Sequence, residues 1–594
     1  MRVVAGFLLL VFLTGCGHTN KRVIVIGVDG MDPGFVERHW SALPNLARLR
    51  NAGGLVRLAT TTPPQSPVAW STFITGTDPV EHGLFDFVHR DPATREPISS
   101  MAATIEPEHE LRVGPYLLPL SKARVQSFRV GQPFWPILSE HGIPVTIMRM
   151  PTNYPAGPEG QELAGMGTPD LEGTFGTFTY YTDDPSQLDG EVSGGRIVHV
   201  DRVKDRVLLP VAGPANTLRR DHAPSRLEMT VDVDPALPAA RFQIDGRQFI
   251  LRQGEWSPWI HVRFPLIPHV ASVAGMFRVY AAELQPGFRI YRSPLNADPA
   301  DSSLPISTPV AFSRRLAQQA GPFYTQGIEE DTAALRQGAL NLPEYLEQSR
   351  LVSESHRKLL HDCLDRFKTG LLFFYFSEVD QNSHVLWGRH EKELLETYRS
   401  VDRAIGEVLD RAGGATVIVM SDHGFAAFDY AVNLNTWLRK EGFGEKAYAM
   451  GLNALYINTA GREKNGTVQP GAERNAVLAD LVRKLRAFQP AIADVTILEK
   501  SASRYEPDAI VGYAPPYRAS WETALGGAPD TEVIEPNNDA WIGDHCMSAS
   551  AVPGSLLGTR KPRLADPSLQ DLPVTILKEF GIRPDPRMTG RAIY

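Results

Sequence analysis

Three apolar segments, far apart in the chain, each lead into an acidic residue, and they constrain the fold more than any other feature. They read VIVIGVDG up to Asp29, LLFFYFSEVD up to Asp380 and VIVMSDHG through Asp422. An unbroken apolar run of this kind is typical of a strand buried on both faces of a parallel sheet. We therefore predict a first strand that ends at Asp29, and further strands over residues 371–379 and 415–421.

Helix signals alternate with these strands. Asp32-Pro33 and Pro44 mark helix starts, and a later apolar stripe has helical spacing: Leu394, Tyr398, Val401, Ile405 and Val408. This alternation predicts the α/β class, with a doubly wound, mostly parallel sheet flanked by helices.

The sequence between about residues 100 and 330 is different in character. It is rich in proline and has alternating apolar positions, with turn signals at Asp245-Gly246 and Pro286-Gly287. We expect one main domain over residues 21–594, interrupted here by a β-rich insertion or cap.

The first sixteen residues, MRVVAGFLLLVFLTGC, place Arg2 before an apolar run that is too short to span a bilayer as a helix. This pattern predicts an export signal over residues 1–16. Its end resembles the lipobox of bacterial lipoproteins, in which Cys16 would carry the lipid as the first residue of the mature protein. The expected location is the bacterial cell envelope, lipid-anchored on the periplasmic or extracytoplasmic side; a plain secretory signal and an uncleaved anchor are the alternatives.

Charge and cysteine content exclude little else. The net charge of −8 over 594 residues is mild and no basic stripe is visible, so no nucleic-acid partner is expected. If Cys16 carries lipid, Cys363 and Cys546 remain, and the sequence leaves open whether they pair.

Ser66 occupies an unusual local context. It follows TTPPQ and precedes Pro67, a residue suited to the first position of a helix, so Ser66 is predicted as the N-cap. Because free backbone N–H groups at a helix N-terminus attract anions, Ser66 is a candidate nucleophile or phosphate-site residue. An ordinary capping serine is the alternative.

Candidate metal ligands cluster at the predicted strand ends, where ligands bind in open α/β sheets. The set has carboxylate and imidazole donors that suit divalent metals such as zinc: Asp29, Asp380, His384, Asp422, His423 and, in a late GDHC segment, His545. Each residue alone could be a turn or solvated loop residue; the joint pattern favours a metal site.

The order and approximate spacing of several motifs resemble the alkaline phosphatase superfamily, most closely its type I phosphodiesterase and nucleotide pyrophosphatase branch. The motifs are VIVIGVDG, SPVAWSTFITG followed by HGLFDF, VDQNSH, VIVMSDHGF and GDHC. The resemblance implies an alkaline-phosphatase-like fold and two divalent metals, with zinc expected. It assigns Asp380, His384 and His545 to one ion, and Asp29, Asp422, His423 and the Ser66 oxygen to the other. It also implies that Ser66 is the nucleophile and forms a phosphoserine intermediate.

One position departs from the pattern of this branch. Many of its phosphodiesterases have an asparagine three residues after the nucleophile, where it contacts a phosphoryl oxygen; this chain has Ala69. Stabilisation of that oxygen must then come from backbone N–H groups, from the metals or from another side chain, for which Asn382 and Arg518 are candidates. A loop hydrogen bond and a surface cation are the alternatives for these two residues. Trp70 and Phe73 could line the pocket, or pack in the core as helix aromatics usually do.

The leading functional hypothesis is therefore a metal-dependent hydrolase of phosphate esters, most simply phosphodiesters or nucleotide pyrophosphates. A phosphomonoesterase, or a phosphotransferase that acts on an envelope lipid or glycan, is the main alternative, and phosphonates remain open as substrates. A non-catalytic envelope binding lipoprotein is a remote alternative. SPVAW lacks the Cys/Ser-x-Pro-x-Arg context of sulfatases, which argues against that activity.

Overall fold

The computed structural model describes residues 20–121, 123–157, 159–187, 189–498 and 503–594. The predicted signal segment 1–16, with Cys16, lies outside them. Within the described residues, no helix combines the length and apolarity needed to cross a membrane. Cys363 and Cys546 are both buried and free, so they do not form a disulfide.

A central eight-stranded sheet organises the molecule. Its strands are β1 (Arg22–Val28), β2 (Leu55–Leu58), β3 (Val145–Met150), β4 (Gln161–Ala164), β5 (Ser307–Thr308), β6 (Gly370–Phe376), β7 (Thr416–Met420) and β8 (Gly554–Gly558), in the order β2-β8-β7-β1-β6-β3-β4-β5. The five adjacent strands from β7 to β4 are parallel. The pairings of β2, β8 and β5 are antiparallel, so the sheet is mixed. These three strands, which lie towards the two ends of the sheet, lack the long apolar runs that identify the centre.

Helices cover both faces of this sheet. The main ones are α1 (Pro44–Gly53), α2 (Ser66–Thr75), α3 (Trp135–Glu140), α4 (Leu342–Arg366), α5 (Glu378–Leu386), α6 (Glu391–Arg411) and α7 (Asp571–Glu579). Side chains of β1 alternate between two cores because successive strand residues point to opposite faces. Val23 and Val25 pack in the core that contains residues of α2, α3 and α7. Ile24, Ile26 and Val28 pack in the core that contains residues of α1, α4, α5 and α6.

Residues 100–330 contribute to more than one sheet. Val145–Met150, Gln161–Ala164 and Ser307–Thr308 belong to the central sheet. Most of the remaining strands form three further sheets: Gly190–Val192, Gly195–His199, Phe178–Thr182, Arg289–Arg292 and Val279–Glu283; Arg202–Val203, Arg206–Ala215, Pro224–Val233, Ala239–Ile244 and Arg247–Arg252; Ile260–Ile267, Ala271–Phe277 and Asn296–Ala297. The predicted turns at Asp245-Gly246 and Pro286-Gly287 each join two antiparallel strands.

The remaining elements surround this framework. Strand pairs precede α3 at Val88–Arg90 with Pro97–Ser99, Ala102–Ile105 with Arg124–Ser127, and Glu110–Val113 with Tyr116–Pro119. After β7 come a sheet of Ala447–Ala449, Ala454–Ile457, Ala509–Tyr513 and Ile492–Ile497, a sheet of Tyr517–Ala519, Tyr430–Val432 and Ile534–Pro536, and the pair Ala426–Ala427 with Gly543–Asp544. Further α-helices span Pro33–Arg38, Pro79–His82, Ala311–Ala320, Thr332–Arg336, Leu434–Lys440, Ala472–Arg486 and Trp521–Ala524.

Candidate metal centre and nucleophile

Asp29 follows β1 directly, at the carboxyl edge of the sheet, and is fully buried. Its Oδ2 accepts hydrogen bonds from the Tyr375 hydroxyl at 2.7 Å and from Trp70 Nε1 at 2.9 Å. Its Oδ1 lies 3.4 Å from Ser66 Oγ and 3.5 Å from His423 Nε2. The two donors therefore fix one carboxylate oxygen, and the other faces the candidate nucleophile.

Ser66 is the first residue of α2, and Gln65 occupies the N-cap. The N-cap prediction for Ser66 is thus wrong by one position, because Pro67 stands at the second helical residue rather than the first. The Ser66 hydroxyl lies 3.1 Å from His423 Nε2. The side chain is consequently at the amino end of the helix, beside Asp29 and His423.

Asp422 and His423 follow β7, which pairs with β1 through Gly27 and Met420. Asp422 Oδ1 accepts from the backbone N–H of Gly30 at 3.2 Å, and Oδ2 lies 3.2 Å from His423 Nε2. Because a carbonyl oxygen can only accept, the 3.1 Å contact between His423 Nδ1 and the Gly424 carbonyl places the ring proton on Nδ1. His423 Nε2 is then free to bind a metal.

Asp380 and His384 lie on α5, at its third and seventh residues. Asp380 was predicted at a strand end, which is wrong: β6 stops at Phe376, and Val379, which follows Ser377 and Glu378, belongs to the helix. The four-residue spacing puts both side chains on one helix face, with His384 Nε2 3.5 Å from Asp380 Oδ2. The Nδ1 atom of His384 donates to the Gly543 carbonyl at 2.9 Å.

His545 completes the cluster from a loop near the end of the chain. Its Nε2 lies 3.7 Å from Asp380 Oδ1, and its Nδ1 donates to the Pro64 carbonyl at 2.7 Å. Its ring also stacks on that of His423 at a centroid distance of 3.6 Å. All three histidines thus direct Nε2 towards carboxylates and have Nδ1 held by a backbone carbonyl, an arrangement usual for metal-binding histidines.

The six predicted ligands form two neighbouring groups. In each group the ligand atoms lie within 4.8 Å of one another: Asp29, Asp422 and His423 in the strand-end group, and Asp380, His384 and His545 in the helix-loop group. Asp380 Oδ1 lies 4.0 Å from His423 Nε2, which joins the two. Asp380 Oδ1 and Asp422 Oδ2 are buried without a hydrogen-bond partner. Such orphaned carboxylate oxygens, surrounded by imidazole nitrogens, fit divalent cations of the zinc type.

A third buried group, Asp544, His545 and Cys546, has a similar composition. Both carboxylate oxygens of Asp544 are already engaged. Oδ1 accepts from the backbone N–H groups of His545 and Cys546, and Oδ2 contacts Trp541 Nε1 and Arg518 Nε. Asp544 therefore has no free oxygen to offer a metal, in contrast to Asp380 and Asp422.

Burial and mutual repulsion disturb the protonation of the cluster. Burial, together with the charge of Asp380, raises the pKa of Asp29 to about 7, and burial raises the pKa of Asp380 to about 6. Burial and the charge of Asp29 raise the pKa of Asp422 well above its usual value. Burial lowers the pKa of His384 to about 4 and that of His423 far below its normal range. Three crowded carboxyl groups and neutral imidazoles are a site where a divalent cation would relieve the electrostatic cost.

The two substrate-binding candidates, Asn382 and Arg518, both bond to other side chains of the protein. Asn382 is on α5 but donates to Ser349 Oγ and Thr397 Oγ1, and accepts from the Tyr345 hydroxyl. Arg518 is fully buried and pairs with Asp544. The structure therefore gives both side chains internal partners.

Several residues that shape the site were missed or misread from the sequence. Trp70 is fully buried and donates to Asp29, and Phe73 packs in the core. Tyr375 also supports Asp29, and Trp541 stacks on His384 at 3.6 Å. The sequence indicated Tyr375 only through its hydroxyl, which is the one polar group in the apolar LLFFYF strand. The role of Trp541 could not be predicted, because it depends on the contact with His384 in the folded chain.

Comparison with known proteins was made by sequence and by structure. The sequence model of the Type I phosphodiesterase / nucleotide pyrophosphatase family matches residues 23–212 and 291–510, more than half of the chain. No curated protein matches in sequence. Among solved structures, similarity is found to phosphonoacetate hydrolase from Sinorhizobium meliloti 1021. The complex with phosphonoacetate has a TM-score of 0.46 and that with phosphonoformate 0.44, each at 12% identity over 94% of this chain and 96% of the other.

Proposed function

This chain belongs to the type I phosphodiesterase / nucleotide pyrophosphatase family, and from that premise we propose that it hydrolyses phosphodiesters or nucleotide pyrophosphates with Ser66 as nucleophile and two divalent metals, zinc being expected. The observation that carries this proposal is the position of Ser66 Oγ, 3.1 Å from His423 Nε2 and 3.4 Å from Asp29 Oδ1. Both neighbours belong to a ligand group that has an unpartnered carboxylate oxygen.

In this proposal the two ligand groups hold the cations and Ser66 attacks phosphorus. The strand-end group would hold one cation beside Ser66, and the helix-loop group would hold the other. Bound divalent cations supply charge that favours the Ser66 alkoxide and stabilises the phosphoryl oxygens and the leaving group. Ser66 Oγ attacks phosphorus in line, the bond between phosphorus and the leaving oxygen breaks, and a phosphoserine results. Water then displaces Ser66 from phosphorus and regenerates the hydroxyl.

The lack of an asparagine after the nucleophile matters for this scheme. Ala69 is fully buried in the core beside Trp70 and has no donor to offer. Pro67, at the second position of α2, has no backbone N–H. Stabilisation of the phosphoryl oxygens therefore depends more heavily on the cations than in relatives that have the asparagine.

The enclosure of the site favours a phosphomonoesterase as the second candidate, whereas a phosphotransferase to an envelope lipid or glycan would also have to admit a bulky acceptor. Ser66 is 1% exposed, and His545 is 2% exposed. A nearly closed site limits the bulk that can surround phosphorus, and a monoester has only one esterified oxygen to accommodate. Adding an alcohol acceptor separates transfer from hydrolysis by its products.

The decisive experiment compares wild type with Ser66→Ala on an aryl phosphodiester, an aryl phosphomonoester, a nucleotide pyrophosphate and a phosphonate. We expect wild type to bind about two zinc ions, and Ser66→Ala to keep them while kcat/KM falls at least about a thousandfold. Ser71→Ala is the matched control, because Ser71 is on the same helix and its hydroxyl bonds the Pro67 carbonyl. Unchanged turnover in Ser66→Ala would reject the mechanism.

For the cell, we propose a lipid-anchored enzyme of the bacterial envelope, attached through Cys16. This rests on the sequence of residues 1–16 alone. Cys16→Ala should move the protein from the membrane fraction to the soluble fraction without altering its activity. Retention in the membrane fraction would instead indicate an uncleaved anchor.

A further inference from the structure

Asp544 is a buried carboxylate in the metal region that is not itself a ligand. Each of its oxygens contacts two donors. The backbone N–H groups of His545 and Cys546 reach Oδ1 at 2.8 Å, while Trp541 Nε1 at 2.7 Å and Arg518 Nε at 2.8 Å reach Oδ2. This full engagement fixes the backbone from which the His545 side chain extends.

Arg518 balances the charge of Asp544. Its side chain is 1% exposed, and its guanidinium packs over the Trp521 ring at 4.0 Å and the Phe428 ring at 4.9 Å. Removing one partner of such a buried pair leaves the other charge uncompensated, which is costly. The pair therefore holds the loop in one conformation.

Trp541 connects Asp544 with His384, the histidine on α5. The indole ring stacks on the His384 imidazole at 3.6 Å, while its Nε1 is held by Asp544. The same segment, which contains the short strand Gly543–Asp544, accepts a hydrogen bond from His384 Nδ1 at the Gly543 carbonyl, and the Ile542 N–H donates to the His384 carbonyl at 2.7 Å. One loop thus orients both histidines of the helix-loop group.

We propose that Asp544 is a positioning residue, acting with Arg518 and Trp541, that aligns His384 and His545 on one divalent cation. We name these three residues the Asp544 clasp. The inference rests on the proposed two-metal function and deepens it: the clasp controls occupancy of the helix-loop group but not of the strand-end group. It also explains Arg518, which holds the clasp rather than the substrate.

The test measures metal binding directly, by zinc titration with elemental analysis and by the visible spectrum of the cobalt-loaded protein. In Asp544→Asn, which keeps an acceptor for the two backbone N–H groups but loses the charge, one zinc should bind as in wild type. The other should bind about 10- to 100-fold more weakly. Saturating zinc should restore kcat, because the ligands themselves are intact.

Two comparisons separate positioning from general destabilisation. Glu463→Gln disrupts another fully buried carboxylate–arginine pair, with Arg90 at 2.8 Å, and should leave both zinc affinities unchanged. His545→Ala removes a proposed ligand of the helix-loop group and should abolish zinc binding there. Adding Asp544→Asn to this variant should not weaken the zinc that is still bound by the strand-end group. Trp541→Phe keeps the stacked ring but loses the N–H; it should weaken one zinc several-fold even if Asp544→Asn does not fold.

The outcomes distinguish the inference from the function on which it rests. If wild type binds fewer than two zinc ions, the two-metal function fails. If wild type binds two zinc ions and both Asp544→Asn and Trp541→Phe bind them with wild-type affinity, the proposed positioning role of the Asp544 clasp is wrong. Equal loss of zinc in Asp544→Asn and Glu463→Gln would also overturn it, since the effect would then be one of stability alone.

Discussion

The two ligand groups are built in different ways. The strand-end group comes from the ends of β1 and β7, neighbours in the parallel centre of the sheet that pair through Gly27 and Met420. The helix-loop group takes two ligands from α5 and the third, His545, from a loop. The contact that joins helix and loop, His384 to Gly543, connects residues 159 positions apart. Hydrogen bonds within the sheet hold the side chains of the strand-end group together. The helix-loop group forms only when the segment that carries His545 packs against α5.

This difference implies unequal robustness. The ligands of the strand-end group cannot separate without disrupting the central sheet, which is buried on both faces. The helix-loop group can be lost by a small displacement of residues 541–546 while the sheet stays intact. We therefore expect the affinity of the helix-loop group to be the more sensitive to substitution away from the ligands.

Removing all metal should have the largest effect, because both groups lose their cations. Activity should disappear, and Tm should fall by at least about 5 °C at about pH 8. The pKa of Asp29 is about 7 and that of Asp380 about 6 in the folded chain, against an ordinary value of 3.8, so these two carboxyl groups hold more protons in the folded than in the unfolded state between these pH values. Their contribution to the stability of the metal-free protein therefore falls as pH rises through this interval, whereas His384 and His423, whose pKa values are lowered, contribute with the opposite sign below about pH 6.5.

Scanning calorimetry of chelated and zinc-loaded samples at about pH 5.5 and about pH 8 checks this sign. The Tm difference between the two samples should widen at the higher pH. A difference that narrows would mean that the carboxyl groups are not crowded as the structure has them.

Gly543→Ala should separate the two groups. A β-carbon at this position would lie 2.5 Å from Trp387 Cβ and 2.7 Å from the Ser383 carbonyl, so the loop must move away from α5. One zinc should bind about 10- to 100-fold more weakly and the other normally, by the same titration. Gly190→Ala is the control, because a β-carbon there meets no atom within 4 Å. Parallel loss of both zinc ions would contradict the independence of the two groups.

Trp70→Phe and Tyr375→Phe should produce smaller losses on the strand-end side. Each removes one hydrogen bond to Asp29 Oδ2; Tyr375→Phe keeps its ring, whereas Trp70→Phe replaces the buried indole by the smaller phenyl ring. A hydrogen bond to a charged group contributes about 1.5–3 kcal/mol, so kcat/KM should fall at least about tenfold for each variant. Tyr456→Phe, another fully buried tyrosine, serves as control. If neither variant lowers kcat/KM, the orientation of Asp29 does not depend on these donors.

The strand-end group was the easier one to predict from the sequence. Asp29 and Asp422 each follow an apolar run, a local signal that places an acid at the carboxyl edge of a buried sheet. Asp380 was predicted as a ligand at a strand end, but it lies on a helix. The predicted strand was extended across Ser377 and Glu378 to the apolar Val379, and a single apolar residue cannot separate the end of a buried strand from the first turn of a buried helix.

The residues that support the candidate ligands could not be predicted from local sequence patterns. Asp544 stands beside His545 in GDHC, yet its role depends on Arg518 and Trp541, which only the folded chain brings to it. The antiparallel edge strands of the central sheet lack a distinctive run for the same reason, since pairing partners rather than composition define them. Local sequence patterns thus predict the candidate ligands, whereas the alignment of these side chains depends on tertiary contacts.

Asn382→Ala should have the smallest effect on catalysis, and it tests whether being on α5 is enough to reach the substrate. Its side chain forms hydrogen bonds with Tyr345 and Ser349 of α4 and with Thr397 of α6. Both helices pack against α5. We expect KM and zinc affinity to change by less than about twofold, while the free energy of unfolding falls by about 1–3 kcal/mol because buried partners lose their hydrogen bonds. Steady-state kinetics and denaturant unfolding measure the two quantities. A tenfold rise in KM with unchanged stability would place Asn382 at the substrate after all, and α5 would then supply specificity as well as ligands.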